Sequence, residues 1–106
     1  MTTLVIHAPT RKAQQEDKKS FDDTVSSGIG EGYAINRNLF VQLSPGCGVI
    51  ILCKDRKLRA EGELVKLIPT EKTSNGVQRY DVYIKNIEKV ALYKSEKLNR
   101  NGVSVI

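Results

Sequence analysis

Between the Pro45-Gly46 turn and the charged tetrapeptide Lys54-Asp55-Arg56-Lys57 stands an unbroken apolar run, Val49-Ile50-Ile51-Leu52-Cys53. The run has strand length and is rich in β-branched residues, which pack well on a pleated surface. After the tetrapeptide the pattern changes to alternation: Leu58, Ala60, Gly62 and Leu64 fall on one side, Arg59, Glu61 and Glu63 on the other. A buried strand, a polar reversal and a half-buried strand make a hairpin. The alternation slips at Leu64-Val65, and an odd residue in a period-two pattern predicts a bulge or bend. Gly62 lies inside the second strand, where a glycine marks curvature or the close approach of something to bare backbone.

The same logic extends along the chain. Residues 3–8, "TLVIHA", form a short central strand ended by Pro9. Ser20 or Asp17 caps a short helix through residues 21–25, with Phe21 and Val25 on one face. Gly28, Gly30 and Gly32 predict a loop, and "YAI" and "NLFVQL" short extended segments. Pro69 is expected to end the long strand, and Asn75-Gly76 to turn a second hairpin. Beyond it Tyr80, Val82 and Ile84 point inward, and Asp81, Tyr83 and Lys85 outward. "EKVALY" (88–93) reads as another strand, residues 94–101 as a polar turn or one helical turn, and "GVSVI" (102–106) as a closing strand. Residues 1–106 thus read as a single α+β domain, a small, mostly antiparallel β-barrel with one or two short helices, closure removing the sheet edges.

Composition narrows the function classes. The net charge is +5, and residues 1–50 balance five basic against five acidic side chains, so the excess lies entirely in residues 51–106. That asymmetry suits a polyanionic partner. Cys47 and Cys53, as same-face positions on one straight strand, would lie roughly 20 Å apart, beyond disulfide reach. They read as reduced, buried hydrophobes, which with the lack of a signal-peptide pattern or a membrane-length apolar run predicts a cytoplasmic protein not associated with membranes. His7, the only histidine, reads as a core residue, and no metal-ligand cluster or activated nucleophile is visible, so no cofactor, metal or catalytic residue is predicted.

The stretch from "LSPGCGVIILC" through "AEGELVKL" to "YDVYIKNIEKVAL", roughly residues 39–98, resembles the PUA-like barrel superfamily, closest to its EVE/ASCH-type branch. The matching features are the Pro-Gly turn, the hairpin, the strand with Gly62 and the Tyr-x-Val strand; the acid that usually follows the turn is replaced by Cys47. The resemblance implies a barrel that binds nucleic acid, RNA or a modified base, in a groove between helix and barrel near Gly62. The tryptophans that line such pockets have no counterpart in a chain without tryptophan, which leaves tyrosine as the stacking residue. Some ASCH-type relatives are hydrolases using Lys, Thr and Glu, for which Lys66, Thr24 and Glu63 are available.

Site residues follow from residue chemistry and from this resemblance. The stretch 26–38 is the candidate pocket rim, with Tyr33 as a stacking face and Arg37 as a bidentate fork. Its glycines do not form a dinucleotide-binding fingerprint. Lys54, Arg56, Lys57 and Arg59 on the hairpin, with Arg79, Tyr83 and Lys85 nearby, form a candidate phosphate-contacting face. The same hairpin charges would serve equally to keep a sheet edge from aggregating. A non-catalytic nucleic-acid-binding domain is the first reading. A protein-interaction module, in which a strand edge such as residues 102–106 pairs with a protein partner or a second copy, is the other.

Overall fold

The structure, a computed structural model, describes residues 2–9, 20–74, 76–94, 96–98 and 102–106. Its strands are β1 (Thr3–His7), β2 (Ile29–Ala34), β3 (Gly48–Cys53), β4 (Leu58–Ser74), β5 (Val77–Val90) and β6 (Val103–Val105), and its helices α1 (Phe21–Ser27) and α2 (Arg37–Phe40). One sheet holds all six strands in the order β2-β5-β4-β3-β1-β6 and curls into a half-barrel. Among the described residues only β1 and β3 pair in parallel. The chain between them crosses over through α1, β2 and α2, as a parallel pair requires.

The two unbroken apolar runs become the two strands buried on both faces, which is what such runs are suited to. On the inner face Leu4, Ile6, Val49, Ile51 and Cys53 join Phe21, Tyr33, Leu64, Val82 and Val103 in the main core. On the outer face Val5, Ile50 and Leu52 form a separate cluster, covered by Tyr93 and Leu98 of the C-terminal segment. None of the described helices is long and apolar enough to cross a membrane.

Ser20 caps α1, its side chain accepting from the Asp23 amide at 3.2 Å, and Asp22 and Asp23 stand in the first turn, where the helix dipole favours them. Gly28 ends the helix with φ 74°, and its N–H donates to the Thr24 carbonyl. Four sequence expectations change. The glycine stretch is no loop: β2 runs through Gly30 and Gly32 and pairs with β5, with a register shift between Gly30 and Tyr33. "NLFVQL" is not extended but enters α2, because Asn36 accepts from the Leu39 amide at 3.0 Å and starts a helical turn. Pro69 does not end β4; it sits at the register shift between Pro69 and Thr73, where a strand tolerates a residue without N–H. "EKVALY" is no separate strand, since β5 continues to Val90.

The long β4–β5 ribbon is bent by bulges on both partners. The expected slip at Leu64-Val65 is there, between the pairs Leu64↔Ile84 and Lys66↔Tyr83. A second bulge lies on β5: Asn86 and Ile87 together oppose Gly62, and Asn86 takes a left-handed φ of 53°.

Candidate functional site

What comes close to Gly62 is β5 itself. A Cβ there would stand 2.8 Å from Ile84 Cγ2, 2.9 Å from the Lys85 carbonyl oxygen and 3.2 Å from Ile87 Cγ1. The helix–barrel groove expected at Gly62 is therefore corrected: α1 packs against β2 and β3, and the bare backbone of Gly62 is filled by the neighbouring bulge.

Tyr33 is a second correction. It is completely buried, and its hydroxyl donates to the His7 carbonyl at 3.1 Å, tying β2 to β1 from the interior rather than offering a stacking face. Arg59 is a third. Its side chain is 10% exposed, with Nε donating to Glu61 at 3.0 Å and Nη1 to both Glu96 at 3.1 Å and the Lys94 carbonyl at 2.9 Å. Desolvation acts to lower its pKa, but the bonds to Glu61 and Glu96 outweigh it and hold the guanidinium above the usual arginine value.

On the β3–β4 hairpin Lys54, Arg56 and Lys57 are exposed. Arg56 Nη1 donates to Asp22 Oδ2 at 2.8 Å, and this bond holds the Asp22 carboxyl below the usual carboxylate range. Lys54 and Lys57 make no ion pair among the described residues. On the β4–β5 ribbon Lys85 Nζ lies 3.9 Å from Glu63, and Lys66 Nζ lies 4.9 Å from the centre of the Tyr83 ring. Arg79 is half-buried. The candidate phosphate-contacting face is thus mixed in charge. Of the three residues matched to a hydrolase, Thr24 is buried with its hydroxyl donating to the Ser20 carbonyl, while Lys66 and Glu63 are exposed on β4.

The structure brings Arg37 into a setting that its sequence neighbours did not announce. An open cleft of about 450 Å3 lies between α2 and the turn from β4 into β5. Ile35, Arg37 and Phe40 line it from the α2 side, and Val77, Gln78 and Tyr80 from β5. Phe40 and Tyr80 stack, with ring centres 4.9 Å apart and planes 18° from parallel. Gln78 Nε2 donates to the Thr70 carbonyl at 2.6 Å and to the Arg79 carbonyl at 2.8 Å, which fixes the side chain. Arg37 is exposed and makes no ion pair among the described residues. A second depression, about 250 Å3, lies across Phe40 and is lined by Leu43, Pro45, Leu64, Lys66 and Leu67.

An aromatic stack beside an uncommitted guanidinium can hold a planar group and grip its anionic substituent. Sequence reasoning named Arg37 but read Phe40 as part of an extended segment and pointed Tyr80 inward. The signal for this site was Asn36 as a helix cap, followed by Leu39 and Leu43 four residues apart. No protein family, curated protein or solved structure matches this chain.

Proposed function

We propose that this domain is a non-catalytic nucleic-acid-binding module of the PUA-like barrel type, acting in the cytoplasm and taking single-stranded RNA. The observation that carries the reading is the Phe40–Tyr80 stack with exposed Arg37 on the wall of an open cleft. Unpaired bases stack on aromatic side chains, whatever their identity, while a guanidinium anchors the phosphate. The net charge of +5 favours approach of a polyanion. The half-barrel and its short helices fit the resemblance in architecture.

An NMR titration of the labelled protein with short RNA and DNA, single- and double-stranded, at about 50 and 200 mM salt tests this. Shifts gathered at Arg37, Phe40, Gln78 and Tyr80 that persist at the higher salt are expected with single-stranded RNA. Absence of shifts with every oligonucleotide would remove the reading.

One observation favours a second reading, strand addition at β6. Among the described residues this strand pairs only with β1, and the Thr3–Ile106 hydrogen-bonded pair turns the N–H and C=O of Val105 to the outer edge. Sedimentation velocity of the same sample, giving a concentration-dependent dimer, would support it.

A further inference from the structure

We infer that the nucleic acid follows the α2 ridge rather than the basic β3–β4 hairpin, and that the site takes two consecutive unpaired nucleotides, one in each depression beside Phe40. The inference rests on the nucleic-acid reading and adds the path and the site size.

Phe40 lines both depressions and so forms the partition between them. It is 37% exposed, and its stack on Tyr80 gives an incoming base an aromatic surface to extend. Each depression holds one exposed cation, Arg37 in the larger and Lys66 in the smaller. Lys66 is held over the Tyr83 ring, so its ammonium already has a preferred direction. Neither cation is bonded to a carboxylate among the described residues.

The hairpin has its two arginines committed to carboxylates, and its two lysines, unpaired among the described residues, stand without an aromatic partner. Arg56 is bonded to Asp22, and Arg59 to Glu61 and Glu96. Its tip, Lys54-Asp55-Arg56-Lys57, carries no aromatic residue on which a base could stack. Two cations flanking an aromatic partition repeat the alternation of phosphate and base along a single strand, whereas lone lysines on a turn offer only charge.

The test is competition against a labelled tetrauridylate, followed by fluorescence anisotropy, with uridine monophosphate, the diuridylate and unlabelled tetrauridylate as competitors. The dinucleotide is expected to compete about tenfold or more better than the mononucleotide, and the tetranucleotide to add less than that again. Phe40→Ala is expected to weaken the tetranucleotide about tenfold or more. Arg37→Ala and Lys66→Ala, both at exposed positions, should each lower the slope of log affinity against log salt by about 0.7, and the double variant Lys54→Ala/Lys57→Ala by less than either.

Equal competition by mononucleotide and dinucleotide would overturn the two-nucleotide site. Loss of affinity in the hairpin variant, with Arg37→Ala and Lys66→Ala unchanged, would overturn the path while leaving nucleic-acid binding intact. An oligoglutamate peptide that displaces the tetranucleotide as well as RNA does would assign the groove to acidic peptides and overturn it as well. Failure of the labelled tetrauridylate to bind at all would fall on the underlying reading.

Discussion

At the scale of single residues, Arg59 joins two parts of the chain that are far apart in sequence. It leaves β4 on the outward side, as its alternation with Leu58 and Ala60 requires, yet Lys94 and Glu96 lie over it. Glu96 beside it is only 15% exposed, so both charges depend on each other for compensation. Arg59→Ala is expected to lower stability by about 1.5–3 kcal/mol, because a charge-assisted bond is lost and Glu96 is left without its cation. Urea denaturation reads this directly. Arg59→Lys should recover only part of the loss, since an ammonium lacks the fork that reaches Glu61, Glu96 and the Lys94 carbonyl together. The alternation made Arg59 legible as an outward cation. What covers that outward face is a long-range fact that no local pattern contains.

At the scale of elements, the β4–β5 ribbon places Gly62 opposite a bulge. Gly62→Ala would put a methyl group against the Lys85 carbonyl, which is backbone and cannot swing aside, and against two isoleucine side chains. A loss of about 1–3 kcal/mol is expected, read as a lower urea midpoint. An unchanged midpoint would mean that the bulge at Asn86 relaxes freely. The presence of a bend was readable at Leu64-Val65, from the slipped alternation. The bulge at Asn86 was not, because it belongs to the partner strand and shows only when the register of β4 on β5 is known. Helix α2 went unread for a related reason. Four residues are too few to show a helical period, and β-branched and aromatic neighbours such as Val41 and Phe40 favour extended backbone until the Asn36 cap closes the turn.

At the scale of the molecule, the half-barrel leaves two demands on its C-terminal stretch. The outer face of β1 and β3 must be covered, and the edge of β1 must be paired; Tyr93 and Leu98 meet the first demand and β6 the second. A chain ending at Val90 would expose Val5, Ile50 and Leu52 together with an unpaired strand edge. Such a chain is expected to self-associate in a concentration-dependent way in sedimentation velocity, where the full chain stays a smaller species. Equal sedimentation of the two would show that the segment contributes nothing to solubility.

The sequence by itself determined the apolar runs of β1 and β3, the two hairpins, a helix start for which Ser20 was one of two candidate caps, and the excess of positive charge after residue 50, because each depends on residues adjacent or nearly adjacent in the chain. It also singled out Arg37 as a cation worth following. Only the tertiary structure decided that Tyr33 points inward to the His7 carbonyl, that Arg59 is bonded to the C-terminal segment, and that Phe40 stacks on Tyr80 across forty residues of chain. Those outcomes depend on sheet order and on the register between strands. A period-two pattern assigns a side chain to a face, but the identity of what lies on that face is set by the pairing of distant strands.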